Sequence, residues 1–300
     1  MPILSRRGLG NVLLLLTALI WGAAFVAQRF GMDHLGPFAF NGLRSLLAGI
    51  VLLPVLWGAH RGRIALGRPA SDHRALWRAG PLCGLCLFVA ASTQQIGLMT
   101  SSAGHGGFIT ALYILIVPLM SLALHHPVRP LHLFCVALGV VGLYFLCATG
   151  GFSSIGRGDW WLLACAFTFS FHILVVAHYA PHVNPIALSI LQFMVVGVLS
   201  LPFIPFEPQL FGSPAFAWTS LRAAAIPFLY AAIGSSAVGY TLQIVGQRYT
   251  DPTVASLLMC LESVFAVLVG CLFGERLTPP ELFGCLLLFI AILLAQLPRP

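Results

Sequence analysis

The 300-residue chain is 59% hydrophobic and 8% charged, with a mean hydropathy of +0.96, whereas a soluble domain carries about 25% charged residues. That excludes two soluble domains of ordinary size; at about 20 apolar residues per bilayer span, the length accommodates ten spans and short connectors. The net charge of +7 comes from 15 basic residues, all of them Arg and scattered between apolar runs, so it marks topology rather than a nucleic-acid partner.

In chain order, Arg6 and Arg7 precede an apolar run over 11–30, which is too long for a secretory signal and reads as the first span. Further helical spans are predicted over 37–56, 80–98, 103–124, 131–148, 159–179, 185–204, 221–246, 252–272 and 279–297. The cysteines, Cys83 and Cys86 of a CxxC pair among them, lie inside these runs, so no disulfide framework is expected and the pair reads as packing.

Arginines sort by side. Arg6, Arg7, Arg61, Arg63, Arg68, Arg74, Arg78, Arg129, Arg248 and Arg299 fall with the termini, against Arg29, Arg157, Arg222 and Arg276 opposite, together with Asp33, Asp159, Glu207, Glu275 and Glu281. The positive-inside rule then places both termini in the cytoplasm, in a multi-pass protein of the cytoplasmic membrane. The fifteenth arginine, Arg44, belongs to neither side.

Sliding the chain on itself by 148 residues superposes Gly10 on Gly158, Pro37 on Pro185, Gly49 on Gly197, Pro54 on Pro202, and the stretch Thr93-Gln94-Gln95-Ile96 on Thr241-Leu242-Gln243-Ile244. After the fourth span the frame shifts, and Gly139 meets Gly284. The expected fold is therefore an all-α membrane protein of ten transmembrane helices, in two five-helix repeats over 1–149 and 150–300. An odd number of spans per repeat gives the halves opposite orientations. Such inverted repeats are a recurrent plan of secondary transporters, with the solute site near the midplane between them.

Two ionisable side chains fall inside spans, Arg44 and Glu262. A charge at the bilayer centre costs at least about 2.5 kcal/mol on insertion scales, so each should face the bundle interior. Counted from Pro37 and Pro252 at about 1.5 Å per residue, their depths differ by roughly 5 Å. They can pair, or each can meet one end of a zwitterionic solute. The plainer readings are a structural clamp for Arg44 and a protonated, interhelical hydrogen-bonding role for Glu262. A buried carboxylate that exchanges a proton would suit proton coupling.

Gln95 and Gln243 are pseudo-symmetric amides, read first as interhelical hydrogen-bonding groups and second as solute contacts. Gly234-Ser235-Ser236-Ala237-Val238-Gly239 lacks bulk, which permits close packing or a local break along a cavity. Trp21, Tyr113 and Tyr240 have depths suited to lining a pocket.

Enzyme signatures are wanting: the histidine pairs His178/His182 and His125/His126 adjoin prolines, no acidic cluster suits magnesium, and no G-x-S-x-G elbow occurs. No cofactor, metal or enzymatic activity is expected.

Several stretches together resemble the EamA-type members of the drug/metabolite transporter superfamily. They are Trp21-Gly22, Arg44, Thr100-Ser101-Ser102-Ala103-Gly104 running into Gly107-Phe108-Ile109-Thr110-Ala111-Leu112-Tyr113, Gly158-Asp159, Tyr249-Thr250-Asp251-Pro252-Thr253, Leu261-Glu262-Ser263-Val264-Phe265 and Gly274-Glu275-Arg276-Leu277. Two departures stand out. Ser263 follows Glu262 where the family usually has Pro, which questions a kink there, and His125-His126-Pro127 replaces a Gly-Glu-Arg end after the fourth span. The resemblance implies a transporter of small metabolites, with amino acids and related solutes a common class. The expected function is a secondary transporter, exporting by alternating access through a cavity between the halves, with a small-molecule substrate and the lipid bilayer as partners. The competing class is a non-transporting membrane protein, either a lipid-substrate enzyme or a scaffold. Oligomeric state is left open.

Overall fold

The computed structural model describes residues 6–65, 72–101, 103–147, 156–272, 278–295 and 297. The 149/150 boundary, Ser102, Arg68, Arg299 and the Gly274-Glu275-Arg276-Leu277 motif lie outside the described residues, as do the side chains of Arg63, Gly104, His105, Cys147, Cys271 and Glu281.

The described residues are helical throughout their regular structure. The first half holds α1 (Arg6–Met32), α2 (Pro37–Ala65), α3 (His73–Leu98), α4 (Ala103–Ala111 and Tyr113–Ala123) and α5 (Pro130–Cys147). The second holds α6 (Arg157–Tyr179), α7 (Pro185–Phe211), α8 (Ala225–Gln247), α9 (Pro252–Met259 and Glu262–Leu272) and α10 (Pro279–Ala295). Eight of these are long and apolar enough to cross a membrane; the apolar parts of α5 and α10, Pro130–Phe145 and Leu282–Ala295, are shorter than the predicted spans among the described residues.

Helix starts follow local chemistry. Asp72 accepts hydrogen bonds from Arg74 N (2.8 Å) and Ala75 N (3.1 Å), which begins α3 before the predicted Gly80. Proline at the first position suits α2, α7 and α9, where a missing N–H costs nothing. At α7, Asn184 Oδ1 accepts from Ile186 N (2.9 Å) and Ala187 N (3.2 Å).

The halves interlock. α3 packs on α6, α2 on α7, α5 on α10, and α1 on α8 and α9, so each of these contacts joins one repeat to the other. Under the 148-residue shift, α2–α7 and α5–α10 are self-equivalent pairs and α3–α6 is the counterpart of α8–α1. A pseudo-two-fold axis therefore runs between α2/α7 and α5/α10. The core is continuous from Leu14 and Trp21 on α1 through Leu87, Tyr113, Phe169 and Tyr240 to Leu258 and Leu288, while Trp77, Trp160, Leu229 and Leu293 are exposed on the rim of the bundle, where lipid is the apolar solvent.

Besides a 3-10 stretch over Leu201–Phe206 within α7, three segments depart from α-helix. The small-residue run of α8 lies in a π-helix over Tyr230–Tyr240, the geometry in which widened turns often mark functional sites. α4 is interrupted at Leu112, and α9 at Cys260–Leu261, equivalent places under the same shift. No proline stands at the α9 break; there the ladder passes to bonds spanning three residues, from Leu261 N to Leu258 O (3.4 Å) and from Ser263 N to Cys260 O (3.1 Å).

Candidate functional site

The two breaks aim the residues that follow them at each other. Tyr113, the first residue after the α4 break, donates from Oη to Glu262 Oε1 (3.1 Å), the first after the α9 break. Glu262 is 3% exposed and Tyr113 2%. Ser263 Oγ donates to Gly107 O (3.2 Å), which ties α9 to α4 beside the carboxylate. Gly22 permits this approach, because a Cβ there would stand 2.6 Å from the Glu262 carbonyl oxygen.

Arg44 reaches the same space from α2. Its Nη1 donates to Gln28 Oε1 (2.9 Å), and its Nε and Nη2 donate to Asn41 Oδ1 (3.2 and 3.0 Å); the guanidinium lies 5.5 Å from the centre of the Phe40 ring. It is 4% exposed. Its charge is thus met by neutral amide oxygens, and two of the five N–H donors of a guanidinium remain uncommitted. Arg44 and Glu262 line one pocket and do not pair with each other; an ion pair joins Arg29 and Asp33 at the end of α1.

Aromatic rings wall the pocket. Trp21 Nε1 donates to Ser235 O on the π-helix (3.2 Å), and its ring lies 4.7 Å from Tyr240 and 6.4 Å from Phe169. Gly239 makes room for that indole, since a Cβ there would sit 2.7 Å from Trp21 Nε1. The α8 run accordingly both packs closely and lines the cavity. Trp21 and Phe169, and Phe25 and Ile173, are equivalent under the 148-residue shift, so both halves contribute the same positions to the walls.

Five of the seven sequence candidates, Trp21, Arg44, Tyr113, Tyr240 and Glu262, meet at this pocket. Gln95 and Gln243 do not line it. Gln95 is fully buried with its amide nitrogen 3.7 Å from Met32 Sδ, and Gln243 is fully buried behind Tyr240 on α8. The neighbouring Gln94 lines the pocket instead, donating to Thr110 Oγ1 (3.5 Å). One helical residue is about 100° of rotation, and matching Gln94-Gln95 to Leu242-Gln243 carried no information on which of the two glutamines of α3 faces inward. Gln28 was also missed; its signal was a carboxamide seven residues after Trp21, on the same face of a span.

The enclosed volume is about 20 Å³, room for about one water molecule. Beyond it, at the end of the bundle carrying Arg248, a cavity of about 840 Å³ opens among His126, His178, Tyr179, Asp251 and Thr253. The opposite end is bridged by contacts between the halves. There Ser101 Oγ donates to Asp159 Oδ1 (2.8 Å), Phe38 stacks on Phe203 at 4.7 Å, and the Glu207 carboxylate accepts from Phe38 N and Ala39 N at the start of α2.

A uniformly apolar pocket would bind hydrocarbon. This one places the guanidinium of Arg44 and the carboxyl group of Glu262 in one buried space between two halves, so its lining carries groups of both chemical signs.

Comparison with known proteins bears on the whole chain. The model of the EamA-like transporter family matches twice, over residues 8–148 and 156–297. A transporter of Archaeoglobus fulgidus is 30% identical over 294 residues, covering 97% of this chain and 87% of that one. A WAT1-related chloroplastic protein of Arabidopsis thaliana is 27% identical over 293 residues (93% and 67%), and the inner membrane transporter YedA of Escherichia coli is 25% identical over 289 residues (94% and 88%). One solved crystal structure superposes with a TM-score of 0.73 at 20% identity, covering 96% of each chain, which is a likeness of fold. A polytopic helical bundle with two matching repeats along nearly its full length, this chain belongs to the EamA-like transporter family of multi-pass membrane transporters.

Proposed function

We propose that this transporter is a secondary carrier of a zwitterionic metabolite of the amino-acid class. The reading rests on one observation: Arg44 and Glu262 line one pocket, nine-tenths or more buried, and do not pair with each other. A carboxylate of the solute meets the two uncommitted N–H groups of Arg44, and its ammonium meets Glu262. Leaving either charge without a counter-charge in the bilayer interior is costly, so the solute that supplies both is selected over neutral molecules.

The small volume of the pocket supports alternating access. A pocket of about 20 Å³ admits no amino acid unless the repeats, 1–149 and 150–300, move relative to one another. With the arginine-rich end in the cytoplasm, together with both termini, the 840 Å³ cavity faces inward, while at the outer end Glu207 ties the second repeat to the start of α2. That is the loading state of an exporter in the cytoplasmic membrane. Glu262 is the proton-coupling group: it exchanges a proton against the solute ammonium, with Tyr113 holding its orientation.

The test is extracellular metabolite profiling of cells expressing the wild type or Glu262→Gln at matched membrane abundance. The expected result is an amino acid enriched outside with the wild type alone. Identical profiles, together with no amino-acid counterflow by the purified protein in vesicles, would overturn the reading.

A further inference from the structure

A second cluster of buried polar groups lies behind the Tyr240 wall, between α6, α7 and α8, and the transport reading does not use it. His172 on α6 and Gln192 on α7 are both fully buried, with His172 Nε2 3.1 Å from Gln192 Oε1. The His172 ring meets Tyr240 edge to face at 6.0 Å. On α8, Tyr240, Gln243 and Gln247 are spaced by three and four residues and so share one face. The upper member of that face touches His172, and the lower donates from Gln247 Nε2 to Ile173 O (3.0 Å), so Gln243 between them faces the same part of α6.

Five side-chain atoms of this cluster have no hydrogen-bond partner within the protein: His172 Nδ1, Gln192 Nε2, both amide atoms of Gln243, and Gln247 Oε1. An unsatisfied buried polar atom costs about 1–3 kcal/mol, and concentrating five of them in one place is a poor way to pack a core. Donors and acceptors are both represented, and neither residue type, His or Gln, carries a fixed charge, so the cluster matches a neutral group that donates and accepts at once. An inorganic ion would leave half of these atoms facing the wrong sign.

The repeat makes the placement intelligible. Gln192 is the counterpart of Arg44, and Gln243 that of Gln95, under the 148-residue shift. In both repeats a polar side chain on the first helix bonds the group at this position on the second: Gln28 to Arg44, and His172 to Gln192, one turn apart in register. The second half thus carries an uncharged version of the Arg44 cluster.

We propose that His172, Gln192 and Gln243 form a second intramembrane binding site, for an uncharged hydrogen-bonding group. Two sources supply that chemistry: a bound water molecule, or the hydroxyl or carboxamide end of the carried solute reaching past Tyr240. The second source rests on the zwitterion reading; the first does not.

The test is radiolytic hydroxyl labelling of the full-length protein in nanodiscs in oxygen-18 water, read at His172 by mass spectrometry, alone and with L-glutamine or L-norleucine. The expected result is label on His172 without added solute, lost in the variant Gln192→Leu/Gln243→Leu. Gln243→Met alone serves if the double variant does not elute as a folded species. Suppression of the label by L-glutamine but not by L-norleucine assigns the site to the solute end; label unaffected by either assigns it to water. The zwitterion reading is decided separately by amino-acid counterflow in vesicles, so its failure there leaves the label without added solute to decide this one. An unlabelled His172 under every condition, with Tyr249 in the α8–α9 connection labelled, would show a dry cluster and overturn the proposal.

Discussion

Arg44 on α2 and Gln192 on α7 occupy equivalent positions 148 residues apart, and each bonds a polar side chain on the preceding helix of its repeat. The backbone plan is shared; the charge is not. The first repeat contributes the pocket's cation, the second contributes its carboxylate, Glu262, and the residue after the equivalent break in α4 is the neutral Tyr113. A strictly symmetric duplication would have put like charges opposite each other in a low-dielectric space. Divergence of a few side chains on a conserved helical frame instead gives the pocket two poles.

The helix ends show the same divergence. Gly36 is the counterpart of Asn184. Asn184 caps α7 from its own repeat, whereas α2 is capped by Glu207 of the other repeat, and Gly36 has no Cβ to obstruct that carboxylate. One repeat is locally complete at this end, and the other is completed by its partner.

These contrasts can be broken one at a time. The largest effect is expected for Glu262→Gln, which removes the acidic pole: transport in vesicles should fall at least about tenfold, as befits about 1.4 kcal/mol or more of lost transition-state interaction, with membrane insertion unchanged. Residual transport should lose its dependence on pH. Gln192→Arg tests the second repeat by adding a charge that has no carboxylate beside it; a cost of at least about 2.5 kcal/mol should appear as lower yield and an earlier thermal transition. A variant as stable as the wild type would show that the cluster tolerates charge and that its neutrality is incidental.

Arg44→Ala should come next. It abolishes the cationic pole and leaves Gln28 and Asn41 oxygens unpartnered, at about 1–3 kcal/mol each, so both flux and thermal stability should drop. If stability alone fell, Arg44 would be a clamp without solute contact. Smaller again is the pair of cap variants, Glu207→Ala and Asn184→Ala, each expected to cost about 1 kcal/mol of stability. Glu207→Ala should also loosen the contact between the halves at this end, detected as faster thiol labelling of a cysteine introduced at Phe38, and Asn184→Ala should not. The smallest effect is expected for Tyr113→Phe, which removes one hydrogen bond to Glu262, about 1 kcal/mol, and should weaken transport without abolishing it.

Much of the site was legible because buried charge is rare in apolar runs. Arg44 and Glu262 announced themselves in this way, and depth counted from Pro37 and Pro252 placed them near one another. Trp21, Tyr113 and Tyr240 came with weaker signals. The facing of a glutamine pair was not legible: Gln94 turns to the pocket and Gln95 away from it, a choice fixed by how α3 rotates against α6. The break in α9 was likewise hidden, because no proline marks it and its signature is a local change of the ladder beside the contact of Ser263 with Gly107.

Composition, hydrophobic run lengths and the 148-residue repeat determined by themselves that this is a membrane-spanning bundle of two like halves, since burial in lipid demands long apolar helices and leaves little latitude in how they are written. The tertiary structure alone decided that Arg44 and Glu262 share a pocket without pairing, that Gln28 and Asn41 hold the guanidinium, and that Glu207 completes a helix of the other half. Those outcomes depend on helix rotation and on contacts across the pseudo-two-fold axis, where residues far apart in sequence meet at distances of a few ångströms that no local pattern encodes.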